Sequence, residues 1–464
     1  MKVFTILFFL VALTAAADKK PNIIFFLADD QRYDFLGCSG HPVVKTPNID
    51  KLAAEGTRFE KMFVNTATCW ISRATMFSGT FLRTHRYTGK SVFNKKFSST
   101  SYPRLLKDNG YQVGYFGKNH VKFEKGETDK MYHSYKVIGR NPYFKKQKDG
   151  SLRHETEIIG DEAEAFIDAL PDGKPFQLNL CFNASHAEDS DKKDHFPFPK
   201  AVAHLYTDMK MPLPKLNDPK YNEAAPDFLR KSMHADRYKW RWDTPEKYQH
   251  NMRNYLRMIS GIDGVIGRVI KKLESKGLAE NTVLIYAADN GYYAGDRGFA
   301  GKWTHYEQSL RVPLIVFDPR LKAHKGQVLQ NMAMNADIPA TILEYAEIER
   351  PSHYDGKSLK PFIEGRTPSE WRTNALCEFF AGHATIPNWE GVRGERYVYA
   401  RYVKQNFEFL HDLEKDPTQL INFAGNPEYK AILEKMRARC DELIQQKGGA
   451  FKEEEYGKGK SKKK

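Results

Sequence analysis

Short apolar runs alternate with amphipathic segments along most of the chain. The first run, Ile23 to Leu27, is continuous and is followed by two aspartates, a pattern typical of a strand buried on both faces of a sheet. Four later segments share this pattern: YQVGYFGK, PFQLNLCFNASH, TVLIYAADNG and RVPLIVFD. Between the runs, apolar residues recur at helical spacing, most clearly from about 246 to 276. This alternation predicts an α/β fold, with a large mixed but mostly parallel sheet between helices.

Helix boundaries are marked most clearly near residue 50. Thr46 is a favourable residue before a helix, Pro47 is favourable in the first turn, and Gly56 is a typical residue after the last turn. A second helix is predicted over about 102–109, because Gly110 follows it. Both helices would lie between predicted strands, as the α/β pattern requires.

The pattern changes after about residue 370. There, RYVYARYV and QNFEFLHDL predict a hairpin, and a helix is predicted at about 426–446. The stretch 187–245 is rich in proline, lysine and aromatic residues, and it predicts an irregular excursion near the mouth of a site. We therefore expect four parts: a signal segment 1–17, a main domain 18–369, a smaller C-terminal α+β subdomain 370–450, and a basic disordered tail 451–464.

The first seventeen residues resemble a secretory signal. Lys2 supplies the positive charge, an apolar run extends from Phe4 to Leu13, and three alanines precede Asp18. The run is short for a membrane span, so we expect cleavage, no stable membrane anchor, and a secreted or periplasmic protein.

The chain is basic, with 72 Lys and Arg against 58 Asp and Glu, a formal charge of +14. This excess favours an anionic partner, and nucleic acid, acidic polysaccharide and anionic surfaces all fit it. The sequence contains no known nucleic-acid-binding module, so we expect no nucleic acid partner. A hydrophobic content of 41% is typical of a globular chain rather than a disordered one.

Five cysteines leave the disulfide pattern open. A chain of 464 residues does not need a disulfide framework. If Cys69 is set apart, the other four allow three pairings, and buried free thiols are the alternative.

Polar residues follow several predicted strands at the point where each strand ends. Because the carboxyl ends of parallel strands meet at one edge of a sheet, we expect these residues to converge on one site. They are Asp29, Asp30, Lys118, His186, Asp289 and Asn290.

The oxygen-bearing members of this set are hard ligands. Carboxylate and amide oxygens suit Ca²⁺ or Mg²⁺ better than zinc. A single such pair is more often a turn or a helix cap. Two pairs, Asp29-Asp30 and Asp289-Asn290, each at the end of an apolar strand, favour a shared cation.

The basic residues near these strand ends form a second group, namely Arg73, Lys118, His120, His186 and Lys302. Each alone is more often a surface or structural residue. Together, beside a divalent cation, they would form a pocket for a tetrahedral anion and would stabilise charge that develops in a transition state.

Cys69 stands just before Ser72 and Arg73, at the predicted start of a helix. A buried structural cysteine and a thiolate nucleophile activated by the helix N-terminus are both open. Neither explains the Ser-Arg pair that follows.

Several motifs that occur in a fixed order give the chain a family resemblance. It resembles the type I, formylglycine-dependent sulfatases of the alkaline phosphatase superfamily, in particular the polysaccharide and iduronate-sulfatase-like branch. The family signature Cys-x-Pro-Ser-Arg stands here as Cys69-Trp70-Ile71-Ser72-Arg73, with Gly79 after the helix. Ile71 replaces the usual Pro or Ala, which bears on how efficiently the cysteine is converted. The other matching segments are PNIIFFLADD, GKNH, NASH, ADNG, GKWTHYEQSLRVPLIVFDP and FEFLHDLEKDPTQLINFAGNP.

The resemblance implies an alkaline phosphatase-like fold and a specific cofactor set. Cys69 would be oxidised to Cα-formylglycine by a maturation enzyme, and its hydrated form, a gem-diol, would be the nucleophile. One Ca²⁺ ion would be bound by Asp29, Asp30, modified Cys69, Asp289 and Asn290.

The resemblance also implies roles for the basic residues. Arg73 and Lys118 would hold the diol, and His120 would take its second proton. His186 and Lys302 would contact the sulfate, with His186 protonating the leaving oxygen. Lys118 would add a substrate contact, and Arg297 is a further candidate because it lies between the metal and sulfate motifs.

The implied substrate is a sulfated polysaccharide or oligosaccharide. Candidate sugar-facing residues, for which a packing role is equally open, are Tyr292, Tyr293, Asp296, Arg297, His383, Trp389 and Arg393. One alternative is a phosphomonoesterase or phosphodiesterase of the same superfamily, although Asn290 favours one hard cation over two transition metals. Another alternative is a non-catalytic protein that binds sulfated glycans. The sequence argues against it, because every expected catalytic position carries the residue that the family uses there.

Overall fold

The computed structural model describes residues 19–191, 193–452 and 455. The predicted signal segment 1–17 and most of the predicted tail 451–464 lie outside the described residues. The strands are β1 (Asn22–Ala28), β2 (Thr57–Phe59), β3 (Met62–Phe63), β4 (Gln112–Gly117), β5 (Ser134–Val137), β6 (Phe144–Lys146), β7 (Leu152–His154), β8 (Phe176–Cys181), β9 (Thr282–Ala288), β10 (Leu314–Phe317), β11 (Gln327–Leu329), β12 (Ala333–Met334), β13 (Asn374–Phe379), β14 (Trp389–Gly394), β15 (Tyr397–Tyr402) and β16 (Phe407–Asp412). The α-helices are α1 (Pro47–Glu55), α2 (Cys69–Ser78), α3 (Leu82–His85), α4 (Lys95–Ser98), α5 (Tyr102–Asp108), α6 (Glu127–Met131), α7 (Glu155–Asp168), α8 (Pro219–Glu223), α9 (Asp227–Arg230), α10 (Met233–Arg241), α11 (Pro245–Ser275), α12 (Glu307–Leu310), α13 (Asp337–Tyr345), α14 (Lys360–Ile363) and α15 (Lys430–Gln446).

The main sheet confirms the predicted α/β fold. Within the described chain it has eight strands in the order β11-β2-β10-β9-β1-β8-β4-β5. Strand β1 lies between β8 and β9 and is parallel to both, while β10 is antiparallel to both of its neighbours. The carboxyl ends of β1, β4, β8 and β9 therefore lie on one edge of the sheet.

Helices cover both faces of this sheet, and β4 shows how its sequence separates the two layers. Successive strand residues point to opposite faces. Phe116 packs against Phe166 of α7 on one face, and Tyr115 packs against Phe77 of α2 on the other. Gly114, on the α7 side, leaves room for Phe166, since a Cβ there would approach its ring within 3.0 Å.

The helix boundaries follow their capping residues. Thr46 precedes α1, Pro47 is its first residue and Gly56 follows it, as predicted. Helix α11 runs from Pro245 to Ser275, within a residue of the predicted bounds, and its apolar stripe is buried in the main core.

The C-terminal part confirms the predicted α+β unit. Strands β13 to β16 form an antiparallel sheet, and α15 packs on one face through residues such as Leu433 and Leu443. The opposite face joins the main core through Cys377 and Phe409. The predicted boundary after residue 369 falls between α14 and β13, and the other predicted boundaries stay predictions.

Two details differ from or complete the sequence predictions. The stretch 187–245 is not wholly irregular, because it contains α8, α9 and α10, whose capping side chains Asp218 and Ser232 stabilise short helices that have little apolar periodicity. All five cysteines are free, so the open question of pairing resolves to free thiols.

Among the described helices, none has the length and apolar character needed to span a bilayer.

Candidate active site

The two central strands bring the acidic pairs together. Ala28 of β1 and Ala288 of β9 are register partners in parallel strands, so the residues that follow them emerge side by side. The backbone N–H of Asp30 donates to Asp289 Oδ1 at 3.4 Å, and Asn290 Nδ2 donates to Asp30 Oδ1 at 2.7 Å. All of these side chains are buried.

We call Asp29, Asp30, Asp289 and Asn290 the acid cluster, and its oxygens are the kind of ligand that a hard cation requires. One ligand atom from each of Asp29, Asp30, Cys69 and Asp289 lies within 4.8 Å of the others. Three buried oxygens have no hydrogen-bond partner among the described residues, namely Asp29 Oδ1, Asp30 Oδ2 and Asn290 Oδ1. Buried oxygens without partners are costly, and a bound Ca²⁺ would satisfy them.

Each aspartate of the cluster also has one cationic partner. Lys118 Nζ contacts Asp29, Lys302 Nζ contacts Asp30, and Arg73 Nε lies 2.7 Å from Asp289 Oδ2. Burial and the neighbouring Asp29 raise the pKa of Asp289 to about 6, even though Arg73 opposes this. The charges of the three carboxylates and of their three cationic partners cancel. A bound divalent cation would therefore give the site a net positive charge, which would attract an anion.

Cys69 lies at the centre of these charges. It is the first residue of α2, only 2% exposed, and its Sγ is 3.4 Å from Lys302 Nζ. Burial and the negative charge of Asp29 raise the pKa of the Cys69 thiol to about 12. In this arrangement the side chain is a neutral thiol, which does not favour the thiolate alternative.

Helix α2 is fixed so that Cys69 and Arg73 face the cluster. Gly79 ends the helix with φ 65°, and a Cβ at this position would also collide with the ring of Tyr354. Ser72 is not aimed at the cluster, because Asn335 Nδ2 donates to its Oγ at 2.9 Å. Ile71 is fully buried and packs with Leu82 in a small separate apolar group.

The two histidines lie at different depths. His186 is buried, and its Nε2 lies 3.6 Å from Asp30 Oδ2. Its Nδ1 lies 2.7 Å from the carbonyl oxygen of Ala187, which fixes the ring orientation. His120 is exposed, and the charge of Lys118 lowers its pKa to about 2.

Glu155 supports the segment that carries His186. Asn183 Nδ2 donates to Glu155 Oε2 at 3.0 Å, and the N–H of His186 donates to the carbonyl of Asn183 at 2.9 Å. Asn183 is itself buried, so the glycosylation sequon Asn183-Ala184-Ser185 has a structural role. Burial raises the pKa of Glu155 to about 7.

We expect this shift to make stability depend on pH. Between the unfolded pKa near 4.3 and the folded value, the folded chain binds the extra proton, so the free energy of unfolding falls as pH rises, by about 4 kcal/mol in total. Glu155→Gln removes the ionisation and should flatten the profile between pH 5 and 7. Urea unfolding at several pH values measures this, with the exposed Glu274→Gln as the control. An unchanged slope in Glu155→Gln would contradict the assignment.

Several of the predicted sugar-facing residues make packing contacts in the structure, and their place at a sugar subsite stays a prediction. Arg297 has φ 61°, and its guanidinium donates to the carbonyls of Thr418 and Gln419 and stacks on Tyr306. It therefore joins the main domain to the C-terminal unit, and its contact with a substrate stays a prediction.

The remaining candidates divide by burial. Asp296 pairs with Arg32, Arg393 pairs with Glu307 at 2.7 Å, and the Trp389 Nε1–H donates to the Trp303 carbonyl at 2.7 Å, so these three have packing roles. Tyr293 is also buried, with its hydroxyl against Thr304. His383 is exposed, whereas Tyr292 is buried with a hydroxyl that lacks a partner among the described residues.

Sequence reasoning missed one cation near the cluster. Arg140 lies in the loop after β5, and no motif or spacing in the sequence points to it. Burial alone would lower its pKa, but Tyr143, Asp29 and Asp189 raise it, as expected for a guanidinium group near the acid cluster.

Comparison with known families matches residues 21–348 to the family described as Sulfatase, and residues 295–446 to the one described as N-sulphoglucosamine sulphohydrolase, C-terminal. An N-acetylglucosamine-6-O-sulfatase of Bacteroides thetaiotaomicron is 28% identical over 472 residues, which cover 89% of this chain and 84% of the relative. An ulvan-active sulfatase of Formosa agariphila is 25% identical over 461 residues, which cover 94% of this chain and 83% of the relative.

A solved structure shows the same fold. It is that of a protein in complex with its substrate D-glucosamine-2-N,6-O-disulfate, with a TM-score of 0.81 and 25% sequence identity, and the match covers 92% of this chain and 98% of the other. The region of this chain that the first family matches, residues 21–348, contains the whole acid cluster together with Cys69 and Lys302.

Proposed function

Since this chain belongs to the sulfatase family and is a sulfuric ester hydrolase, we propose that it hydrolyses sulfate esters of a sulfated polysaccharide or oligosaccharide. One observation carries the proposal for this site. Cys69 starts a buried helix, lies among three carboxylates, and has its Sγ 3.4 Å from Lys302 Nζ. A nucleophile held between a cation site and a buried ammonium group suits attack on a sulfate ester.

We propose that one Ca²⁺ ion is held by Asp29, Asp30, Asp289 and Asn290, with residue 69 as a further ligand. The three partnerless oxygens of the acid cluster support this, because the ion would satisfy them. When bound, the cation would lower the pKa of a hydroxyl at residue 69 and so supply an activated nucleophile.

We also propose that Cys69 is oxidised to Cα-formylglycine by a formylglycine-generating maturation enzyme. Ser72 and Arg73 match the family signature in support of this, although Ile71 departs from it. A hydrated aldehyde carries two hydroxyl groups, so one can attack sulfur and the other can drive the release of sulfate. A plain alcohol has only the first of these abilities.

The cationic side chains would act directly on the substrate. Lys118 and Lys302 are buried ammonium groups that can donate to the oxygens of the sulfate group and neutralise the charge that builds up there. Arg73 spans Asp289 and the carbonyl of Lys118, which keeps both oriented.

The histidines would move protons. With Nδ1 held by the Ala187 carbonyl, His186 presents Nε2 to the acid cluster, and in its protonated form it would donate to the leaving alcohol oxygen. His120, which lies two residues after Lys118 and is exposed, is neutral because its pKa is low, so a ring nitrogen would be available to accept a hydrogen bond from residue 69 and to pass the proton on to solvent.

A carbohydrate substrate is favoured by what the relatives act on and by charge. The relatives named above include an N-acetylglucosamine-6-O-sulfatase and an ulvan-active sulfatase. The formal charge of +14 would attract a polyanionic glycan. We further propose that the protein is secreted or periplasmic, as the signal-like residues 1–17 indicate, because a polymeric substrate would be met outside the cytoplasm.

A substrate panel tests the proposal. The chain, produced with a maturation enzyme, should hydrolyse sulfated oligosaccharides with a kcat/KM at least about 100-fold above that for matched phosphate monoesters or diesters, because one hard cation and a formylglycine suit sulfate transfer. Ion chromatography of released sulfate and phosphate measures both.

Two results would contradict it. Preferred release of phosphate would favour the phosphoesterase alternative. Tight binding of sulfated oligosaccharides without any release of sulfate, in chains that carry formylglycine, would favour the non-catalytic binding protein.

A further inference from the structure

Three arginines converge on one aspartate beside the candidate active site. Arg237 Nη2 donates to Asp189 Oδ2 at 3.1 Å, Arg241 Nη2 donates to Oδ1, and Arg140 Nη2 lies 3.9 Å from Oδ2. Arg237 and Arg241 are one turn apart on α10, so they extend from the same face of that helix. We call these four residues the arginine cluster.

The arginine cluster has more donors than acceptors. Among the described residues, no acceptor is within hydrogen-bond reach of Arg140 Nε, Arg237 Nε, or Arg241 Nε and Nη1, although all four atoms are buried. The side chain of Arg241 is 0% exposed. Buried guanidinium groups are normally fully hydrogen-bonded, so these donors point to an acceptor that the chain itself does not supply.

The charge of the cluster is also unbalanced. Three guanidinium groups face one carboxylate, which leaves two positive charges in excess among these four side chains. One side of the cluster remains open to solvent, because the side chains of Arg237 and Asp189 are 14% and 30% exposed. An anion of modest size can therefore reach it.

Members of the arginine cluster lie near residues of the active site, either in the sequence or in space. Asp189 follows His186 by three residues, and the guanidinium of Arg237 lies 5.0 Å from the ring centroid of Trp303, the residue after Lys302. The carboxylate of Asp29 contributes to the raised pKa of Arg140, so these two groups are near one another. The arginine cluster thus borders the place where the sulfate ester would lie.

We propose that Arg140, Arg237 and Arg241 form a second anion subsite, which binds a sulfate or carboxylate group carried by the same saccharide as the scissile sulfate ester. The inference rests on the proposed function and narrows it to saccharides with at least two anionic substituents. Planar guanidinium groups bind both kinds of oxyanion with paired hydrogen bonds, which Lys302 and Lys118 cannot do.

The test compares three substrates in the matured wild type and in Arg237→Gln. They are a monosulfated neutral saccharide, the same saccharide with a second sulfate, and a monosulfated saccharide joined to a uronate. Arg237→Gln should lower kcat/KM for the dianionic substrates by about 10- to 100-fold, the loss expected for a charged hydrogen bond, and by less than about threefold for the monosulfated one. The substrate that loses more tells whether sulfate or carboxylate is the natural occupant.

Matched controls separate recognition from structure. Lys239→Gln removes an exposed positive charge from the same helix and should leave all three rates unchanged. If the arginine cluster only anchors the loop of Asp189, Arg237→Gln will lower the melting temperature and slow all substrates equally, which would overturn the proposal. If Arg237→Gln does not fold, Arg140→Gln is measured in the same way.

Failure of the proposed function has a different signature. If the wild type hydrolyses none of the three sulfate esters, calorimetric titration of Cys69→Ala with the mono- and disulfated saccharides tests the subsite alone. Tighter binding of the disulfated compound, lost in the Cys69→Ala/Arg237→Gln double variant, supports it. Equal binding of the two compounds overturns it.

Discussion

Cys69→Ala is expected to lower kcat/KM for a sulfate ester by about 10⁴-fold or more, the loss typical of removing a nucleophile. The residue starts α2 among the carboxylates, so alanine removes the reacting group while leaving the buried surroundings in place. Release of sulfate from matured wild type and variant, measured side by side, gives the ratio. Cys38→Ser, a change at the partly exposed cysteine, serves as the control and should leave the rate unchanged.

The variant Cys69→Ser tests whether the second hydroxyl group of the proposed formylglycine hydrate is needed. Serine offers one hydroxyl group where formylglycine hydrate offers two, so the variant should release at most one equivalent of alcohol per chain and then stop. Peptide mass spectrometry of the wild type should show residue 69 lighter than a thiol and reactive toward hydrazide. Full activity in chains that keep a free thiol at residue 69 would refute the proposed nucleophile.

Removal of the cation has the second largest expected effect. Chelation should abolish sulfate release, and Asp29→Asn should lower kcat by about 10³-fold, since a metal ion supplies several kcal/mol of stabilisation to such transition states. Asp29 has one partnerless oxygen and one held by Lys118, so its charge is shared between the cation site and the lysine.

Binding of the cation can be measured independently of catalytic activity. Ca²⁺ at about 100 times its dissociation constant should stabilise the wild type by about 2.7 kcal/mol, and Asp29→Asn should lose most of this gain in thermal unfolding. The exposed Asp208→Asn is the matched control and should respond like the wild type. Restoration of the chelated enzyme by zinc or manganese but not by calcium would instead favour the two-metal phosphoesterase alternative.

The sequence predicted the central strands well because they are long apolar runs. Strands β1 and β9 were found within a residue or two of their ends. The short strands β2 and β3 were not found, since strands of three and two residues show no periodicity that could be recognised. The antiparallel direction of β10 was equally hidden, because the apolar run of a buried strand is the same in either direction.

The same contrast holds for the candidate site. Asp29, Lys118, His186 and Asp289 follow strands, so the sheet topology was enough to predict that they meet. Arg297 was chosen because it lies between two site motifs in the sequence, and that position could not reveal its contacts with Thr418 and Gln419 of the C-terminal unit.

Arg140 and its partners show what sequence reasoning lacks. Asp189, Arg237 and Arg140 lie in three separate segments, and each has an ordinary sequence context. They meet only because the loop after β5, the chain after β8 and helix α10 pack together. Contacts of this kind depend on tertiary packing rather than on any local pattern.

The burial of Cys69 has a consequence for the order of events in biosynthesis. A 2% exposed side chain in the first turn of a packed helix is beyond the reach of another protein. If Cys69 is converted to formylglycine as proposed, the maturation enzyme would have to meet this segment while the polypeptide is still nascent or unfolded. Chains that fold first would then keep the thiol, and adding the enzyme to the purified protein would not convert them.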